Sequence, residues 1–191
     1  YVSSLFSTAI SENLLFTGKA MWSHATWSFQ ETISPERTES IVDDVRAEVS
    51  CRLLLGDLHT LTLGLDGNAD IIGGAMFGGR RIGGLAVYGQ DEIQLADQLT
   101  LTLGARFDVQ SAGLTQKALQ LNPKSALAYN PWTGTTIRAS FGRGFRVPSI
   151  WEAFIAAGGG FVKGVPNPEL KPERSSSYEV GFSQALGDFG T

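Results

Sequence analysis

Hydrophobic and polar residues alternate along most of this chain. The clearest stretch is Leu99–Gln110, in which Leu, Ala, Phe and Val take every odd position and Thr, Gly, Arg, Asp and Gln take every even one. This period of two predicts a β-strand with one apolar and one polar face. The stretch also has the length of about 9–11 residues that a tilted strand needs to cross a membrane. Taken alone, it is more typical of a half-buried strand in a soluble sheet.

The lengths of the connections change that interpretation. Similar alternation predicts about nine strands along the chain. Short turns are predicted near residues 10–13, 56–59, 96–98, 130–134 and 186–190, and long loops near 30–40, 67–81, 111–124 and 147–175. Outer-membrane barrels have short turns at one rim and long loops at the other, whereas soluble sandwiches use Greek-key crossings. We therefore predict an all-β fold, an antiparallel up-and-down transmembrane β-barrel.

Some segments depart from simple alternation. Trp27 and Phe29 have the opposite parity to the strand before them, which predicts a bulge or a strand end near His24. The segment Gly67–Arg81 is rich in glycine, and we therefore do not expect it to form a strand interior. Only a short strand is predicted at Ser125–Tyr129, after the third long loop.

The odd strand number carries a second expectation. In an antiparallel meander of about nine strands the first and last run in the same direction, and bacterial single-chain barrels have even numbers of strands. We therefore expect residues 1–191 to be part of a larger barrel domain.

Composition excludes several other classes of protein. No run approaches the roughly 18 apolar residues of a transmembrane helix. The net charge of −4, without a basic cluster, argues against nucleic acid as a partner. His24 and His59 are predicted at opposite rims, and Cys51 is the only cysteine, so no Ser/His/Asp arrangement or metal cluster is expected. We therefore expect no catalytic residues, no metal and no cofactor, and we do not expect an enzyme.

Two spaced motifs resemble those of TonB-dependent outer-membrane receptors. Members of that family carry a "GFR-x-P" stretch followed by a Glu, then a variable loop, then "NP-x-L-KPE" and "yEvG". The first motif is matched here by Gly144, Phe145, Arg146, Pro148 and Glu152, and the second by Asn167, Pro168, Leu170, Lys171, Pro172, Glu173, Tyr178, Glu179 and Gly181. The segment from Tyr88 to Asp108 is also similar to the family's "Y-x-QDE" and "LTLG-x-R-yD" pattern.

The resemblance implies a barrel of about 22 strands whose lumen is filled by an N-terminal plug domain. It implies a place in the bacterial outer membrane, in contact with its lipid. It also implies uptake of a scarce, large nutrient such as a siderophore–iron complex or cobalamin, energised by the TonB complex. Neither a plug nor a TonB-binding box is present in residues 1–191. The alternative is a small autonomous outer-membrane pore or adhesion barrel.

Charged residues near the motifs have two interpretations. Arg143, Arg146 and Trp151 are weak candidates for ligand contact. The preferred interpretation is that the charged residues brace the last loop: Arg143, Arg146 and Glu152 would pair with Lys171, Glu173 or Arg174. Pro148 and Pro172 would stiffen its two ends, because proline removes a backbone donor and holds the preceding residue extended.

The charged residues of the predicted strands share one phase of the alternation. This phase is predicted to face the lumen, where packing against the plug is favoured over substrate binding. It includes Arg46, Glu48, Arg52, Arg106 and Asp108.

The last loop also yields a prediction about haem. Haem receptors of this family carry a histidine between a "FRAP" and an "NPNL" box. Here the boxes read FRVP at 145–148 and NPEL at 167–170, and the segment SIWEAFIAAGGGFVKGV between them contains no His, Tyr, Cys or Met. Haem iron needs an imidazole, thiolate, thioether or phenolate ligand. The full receptor should therefore not bind haem through this loop, and a Soret shift on haem titration that disappears when the loop is deleted would contradict this.

Overall fold

Nine strands of this chain form one antiparallel sheet. The computed structural model describes residues 1–30, 37–74, 79–111, 117–149, 152, 158–159, 162–163, 167 and 169–185. In sheet order the strands are β1 (Val2–Ser11), β2 (Leu14–Gln30), β3 (Arg37–Leu55), β4 (His59–Gly74), β5 (Arg80–Ala96), β6 (Leu99–Ser111), β7 (Ala118–Tyr129), β8 (Thr135–Arg146) and β11 (Glu173–Gln184). Each pairs with the next strand in this order, and the order follows the chain, which confirms the predicted up-and-down meander.

The remaining two strands, β9 (Gly158–Gly159) and β10 (Val162–Lys163), pair with each other between β8 and β11. Within the described residues the nine-stranded sheet is open, because β1 pairs only with β2 and β11 only with β8. Within the described ranges, no helix is long and apolar enough to cross a membrane.

The two faces of the sheet differ sharply in polarity. One row of cross-strand partners contains Val49, Leu65, Val87 and Phe107, and it lies on the face that we call outer. Leu65 is 57% exposed there. In the part of the chain that the structure describes, only Ile72, Ala86 and Ala118 are buried hydrophobic residues. The apolar side chains therefore do not form a core between layers, and a hydrocarbon environment accounts for their exposure.

The strand register is staggered as a closed barrel requires. Leu14, at the first short turn, lies on one cross-sheet row with Leu53, Leu61, Asp91 and Leu103. Leu103 is four residues beyond the start of β6 at Leu99. Each successive short turn therefore lies further from this row of cross-strand partners, measured along the strands, than the turn before it. This stagger goes with a strand tilt of about 35–45°.

Two His–Asp pairs mark the ends of the apolar outer face. His24 Nδ1 lies 2.9 Å from Asp43 Oδ1 near the long loops, and His59 Nδ1 lies 2.7 Å from Asp91 Oδ2 near the short turns. Asp43 pairs across the strands with Ile71, which is twelve residues from His59 along β4. A rise of about 3.3 Å per residue and a tilt of about 40° separate the pairs by about 30 Å along the barrel axis. This distance spans the apolar band of outer-membrane barrels, which is about 25 Å tall.

The predicted bulge near His24 is wrong. β2 pairs with β3 without interruption from Leu14 to Gln30. The register shifts lie instead beside short turns, between Ala9 and Ser11 and between Gln94 and Ala96. Trp27 keeps the strand parity and belongs to the inner face. The parity argument failed because β2 continues past the polar His24–Asp43 row, where the inner and outer faces no longer separate polar from apolar residues.

The loop predicted at 67–81 is shorter than expected. β4 continues to Gly74, and β5 resumes at Arg80. Several of these glycines lie where the backbones approach closely: a Cβ on Gly83 would lie 2.6 Å from the carbonyl oxygen of Asn68. Pairing with β3 and β5 on both sides offsets the weak strand propensity of glycine. β3 likewise begins at Arg37, inside the loop predicted at 30–40.

The third and fourth predicted loops are also shorter. β7 begins at Ala118 rather than Ser125, and it includes Pro123. It pairs with β6 along its whole length but with β8 only from Lys124 to Tyr129. Pro123 has no N–H to donate, and the pairing with β8 stops at its position. The fourth loop, predicted over 147–175, begins where expected because β8 ends at Arg146, but it ends earlier because β11 begins at Glu173.

Tyr88 packs over a glycine on the inner face. Tyr88 and Gly64 are cross-strand partners, and a Cβ on Gly64 would lie 2.2 Å from Tyr88 Cζ. The Tyr88 hydroxyl donates a hydrogen bond to Glu48 Oε1 two strands away. The guanidinium of Arg106 lies 5.9 Å from the centre of the same ring. Glycine at position 64 therefore allows this ring on β5 to contact β3, β4 and β6.

The assignment of faces predicts the effect of a charge. Leu65 lies midway along β4 between His59 and Ile71, with Val49 and Val87 as cross-strand partners. Leu65→Lys should destabilise the assembled full-length barrel by about 2–4 kcal/mol, the cost of a lysine facing lipid near the bilayer midplane. Thr102→Lys is the control, because Thr102 lies on the inner face opposite Glu92 and should tolerate the charge. Equal losses in urea unfolding would contradict the two-faced wall.

The Tyr88–Gly64 contact predicts a second effect. Gly64→Ala should lower the free energy of unfolding by about 1–3 kcal/mol, because the ring must move and lose its bond to Glu48. Gly142→Ala is the matched control: it also lies on the inner face, and the nearest atom to its added Cβ is Ser177 Oγ at 3.7 Å. Similar unfolding curves for both variants would show that the ring is not held in this position.

Candidate functional site

The inner face of β2–β7 carries a network of paired charges. Lys19 Nζ lies 3.0 Å from Glu48 Oε2, and the same carboxylate accepts the hydroxyl of Tyr88. Arg46 donates from Nε to both carboxylate oxygens of Asp44, each at 3.1 Å. The Lys19–Glu48 contact joins neighbouring strands, the Tyr88–Glu48 contact spans β3 to β5, and the Arg46–Asp44 contact lies within β3. Most of the charge on this part of the inner face is therefore neutralised within the wall itself.

Arg106 is the centre of the second part of this network. Its Nη2 donates to Asp66 Oδ1 and its Nε to Asp108 Oδ1, both at 2.8 Å. Asn122 donates from Nδ2 to the other oxygen of Asp108 at 3.0 Å. Asp108 is only 7% exposed, and its charge is acceptable there because both oxygens have donors. Four side-chain oxygens are buried without a partner in the described structure: Ser40 Oγ, Asp70 Oδ1, Asp91 Oδ1 and Asn122 Oδ1. Those of Asp70 and Asn122 lie on the inner face beside this network.

The predicted lumen-facing charges lie where the alternation placed them. The inner face contains all five of them: Arg46, Glu48, Arg52, Arg106 and Asp108. In the cross-strand rows that contain them, even-numbered residues of β3 to β6 pair only with one another, and they therefore lie on one face. Within the described part of the chain, four of these five residues form a hydrogen bond or ion pair with another residue of the inner face: Arg46, Glu48, Arg106 and Asp108.

The second polar assembly lies at the base of the last long loop. Arg146 ends β8 and lies directly opposite Glu173, the first residue of β11. Its Nε and Nη2 donate to the two oxygens of Glu173 at 3.1 and 3.0 Å. Its Nη1 and Nη2 donate to the two oxygens of Glu152, both at 2.8 Å. One guanidinium thus holds two carboxylates bidentately, the strongest geometry for such pairs.

Glu152 is also held by the backbone of the loop. The N–H and the hydroxyl of Ser149 donate to Glu152 Oε2 at 2.7 and 2.9 Å, while the N–H of Glu152 donates back to Ser149 Oγ at 3.3 Å. This reciprocal arrangement is a capping box. The Arg146 guanidinium, and then the two Ser149 donors, lower the pKa of Glu152 to about 2. We call Arg146, Ser149, Glu152 and Glu173 the loop brace.

The other end of the loop contains a compact turn. The N–H of Glu169 donates to Asn167 Oδ1 at 3.1 Å, and the N–H of Leu170 donates to the Asn167 carbonyl at 3.4 Å. The first bond closes an Asx-turn, which explains the asparagine of this motif. Pro148 is buried and Pro172 is half-buried, while Lys171 is exposed. Pro168 lies outside the described residues.

The rest of the motif lies on the β8–β11 ladder. Gly144 pairs with Ser175 and Phe145 with Arg174. The Tyr178 ring packs 5.1 Å from that of Phe141 on the outer face. Glu179 pairs with Ser140, and Gly181 with Arg138. The two motifs therefore describe mainly the pairing of β8 with β11 and the closure of the loop between them.

The ligand-contact candidates occupy different places. Arg143 pairs with Ser176 and shares the parity of Phe141 and Phe145, so it belongs to the outer face. Arg146 belongs to the inner face and to the loop brace. Trp151 lies outside the described residues. The roles of all three as ligand contacts stay predictions.

Several residues of these assemblies were missed by sequence reasoning. Lys19, Tyr88 and Asp66 have the parity of the inner face, but parity does not identify their partners. Ser149 precedes Glu152 by three residues, which is the spacing of a capping box, and this signal was available. The proximity of His59 to Asp91 depends on strand register, which the sequence does not reveal directly.

Comparisons with known proteins agree with this geometry. The family model for the TonB-dependent receptor-like β-barrel matches residues 16–191. No protein of curated function is a significant match to the sequence.

Solved structures share the fold at low identity. The siderophore receptor PirA from Acinetobacter baumannii matches 97% of this chain, with a TM-score of 0.77 and 13% identity. A mutant of the ferric enterobactin receptor PfeA from Pseudomonas aeruginosa also matches 97%, with a TM-score of 0.75 and 16% identity. The copper transporter OprC matches 97%, with a TM-score of 0.71 and 15% identity.

The chain spans about a third of these larger proteins: 32% of PirA, 32% of PfeA and 36% of OprC. The family match covers most of the chain, and the nine strands form an up-and-down sheet with one lipid-compatible face. The chain therefore belongs to the TonB-dependent receptor family, and it is a segment of the outer-membrane β-barrel of such a receptor.

Proposed function

We propose that this chain forms part of the wall of an outer-membrane receptor that imports a scarce nutrient with energy from the TonB complex. The observation that carries this proposal is the family match over residues 16–191. It coincides with a sheet that is apolar outside and polar, with paired charges, inside. Among the described residues, polar groups form ion pairs within the wall and at the base of the last loop, and transport through the complete receptor accounts for this arrangement.

The substrate that we propose is a ferric siderophore, with a cobalamin-like ligand as the second candidate. The fold neighbours PirA and PfeA are receptors for siderophores, which supports the first choice. OprC is a copper transporter, so the same fold serves more than one cargo. The absence of iron ligands from the sequence between the two boxes weighs against haem.

For the inner wall we propose the role of a seat for the plug domain. Several of its charges are already paired with one another, as in the Arg106–Asp66 and Arg106–Asp108 bridges at 2.8 Å. A wall with satisfied charges offers little binding energy to a passing substrate. The buried oxygens of Asp70 and Asn122 lack donors in the described structure and would accept hydrogen bonds from a domain filling the lumen.

For the loop brace we propose a positioning role. Four donor contacts of Arg146 are directed at Glu152 and Glu173, which leaves one Nη1 hydrogen for any ligand. The brace joins the last residue of β8, the first residue of β11 and the start of the loop. It would hold the loop over the mouth of the barrel, where a ligand would first bind.

Uptake by the complete receptor tests the transport proposal. A strain that lacks its own siderophore receptors should regain accumulation of radiolabelled iron from one or more ferric siderophores when it expresses the full receptor. Accumulation should disappear when the TonB complex is deleted, because the import step needs its energy. Labelled cobalamin, offered to the same cells, tests the second candidate.

The alternative of a passive pore or adhesion barrel makes the opposite prediction. Such a protein would admit small solutes, or bind surfaces, equally well in cells with and without TonB. Conductance of the purified full receptor in planar bilayers distinguishes the two, because a plugged receptor should show no large open channel. A stable open channel and TonB-independent uptake would contradict the proposal.

The low pKa of Glu152 predicts the pH dependence of the loop brace. Because its pKa is about 2 instead of the ordinary 4.5, the brace is fully present above pH 4.5 and is lost as the pH falls through about 2. Protection of the Ser149 amide from hydrogen exchange, corrected for intrinsic rates, should therefore persist at pH 4 in the full receptor.

Arg146→Lys supplies the control for this experiment. Lysine keeps the positive charge but cannot hold two carboxylates bidentately. Amide protection in this variant should be lost at a higher pH, closer to the ordinary Glu152 value. Loss of wild-type protection between pH 4 and 5 would show that Arg146 does not hold Glu152 in this way.

A further inference from the structure

The outer face contains a shallow apolar groove that crosses β3, β4, β5 and β6. Its floor is made of small residues, since Ala47 pairs with Gly67 and Ala69 pairs with Gly83. Larger side chains line it: Val45, Val49, Leu65, Leu85, Val87, Phe107 and Val109. It consists of two adjoining hollows with volumes of about 450 and 490 Å³. The protein's own side chains leave this space open.

The groove lies in the half of the apolar band nearer the long loops. Its upper row of cross-strand partners ends with Gly83 and Ser111, and its lower row ends with Val87 and Phe107. These rows are four residues apart on β6, a distance of about 13 Å. The next outer-face row above contains Asp43, which pairs with His24 at the membrane boundary. The groove thus begins just below the extracellular interface.

Two cations lie at the upper end of the groove. Lys117 lines the upper hollow and is exposed. Arg81 pairs with Ile71 on the outer face, two residues beyond Gly83. Among the described residues neither side chain has an ion-pair partner. Unpaired cations at a lipid interface attract anionic headgroups.

We propose that this groove binds one acyl chain of an outer-leaflet lipid whose headgroup carries phosphate, and that Lys117 and Arg81 contact the phosphate. The occupant must be apolar over the length of the groove and anionic at its upper end. A lipid in the extracellular leaflet has this distribution, and the short-turn rim faces the opposite side of the membrane. The inference depends on the place of the chain in the outer membrane and is independent of the nutrient that the receptor imports.

Lipid retention by the full receptor tests this inference. The receptor would be purified from outer membranes in mild detergent, and bound lipid would be counted by native mass spectrometry. A diphosphorylated glycolipid and its dephosphorylated form would then be titrated separately. Lys117→Ser and Arg81→Ser should each weaken binding of the phosphorylated form about fivefold, which is the contribution of one lysine or arginine to binding at an anionic surface. Neither should change binding of the dephosphorylated form.

Gly67→Leu tests the apolar part of the groove. The new side chain would fill the floor, where even a Cβ lies 3.1 Å from Leu85 Cδ2, and binding of both lipid forms should fall. Gly18→Leu is the matched control, because Gly18 also lies on the outer face and its added Cβ meets nothing within 4 Å. Arg174→Ser is the charge control, since Arg174 is an exposed outer-face cation near the same rim.

The double variant Lys117→Ser/Arg81→Ser tests the proposal even if the Gly67→Leu variant does not assemble. Unchanged retention of the phosphorylated lipid in this variant would overturn the proposal. The same holds if inorganic phosphate alone displaces the lipid completely, because the groove would then contribute nothing. Equal losses in the Gly18 or Arg174 controls would also overturn it.

Discussion

The constraint on which this structure depends is that every backbone N–H and C=O within hydrocarbon must find a partner in the protein. Strands satisfy it only by pairing on both edges, and β3 to β6 do so over most of their lengths. The β2–β3 ladder, for example, continues without a break from Leu14 to Gln30. Alternation follows, since a strand paired on both edges has only its two faces left, one for lipid and one for the lumen.

The same constraint explains where the ladders end. Pairing of β7 with β8 stops at Pro123, beyond which β8 continues with β11 alone. This continuation brings Arg146 opposite Glu173 and allows the guanidinium to reach Glu152 as well. The register of β8 with β11 above the membrane therefore brings the residues of the loop brace together. At that level, water and side chains can hydrogen-bond to backbone groups that would have no partner in hydrocarbon.

Strand existence and face could be predicted from the sequence because alternation records them directly. Leu99–Gln110 was predicted almost to the residue, and Arg106 and Asp108 lie on the predicted inner face. Strand ends were predicted less well. Glycine in β4 and proline in β7 are weak strand formers, and only their pairing with neighbouring strands keeps these segments extended.

The sequence predicted several residues of the candidate site, but it did not predict which of them contact one another. The motifs identified Arg146, Glu152 and Glu173 together, but parity does not show that one guanidinium holds both carboxylates. The contact of Tyr88 with Gly64 and the His59–Asp91 pair depend on register between strands that are distant in sequence. Such contacts can be predicted only from the three-dimensional structure, because alternation shows which face a residue lies on but not which residue of the neighbouring strand it lies beside.

The most direct test of the two-faced wall is a scan of single cysteines along β6 in the full receptor, after Cys51→Ala. Each cysteine from position 99 to 111 would carry a spin label, and its accessibility to oxygen and to a water-soluble nickel reagent would be measured in lipid vesicles. Odd positions should be open to oxygen, which concentrates in lipid, and even positions should be shielded from it. Accessibility that varies smoothly along β6, or with even positions facing lipid, would contradict the account.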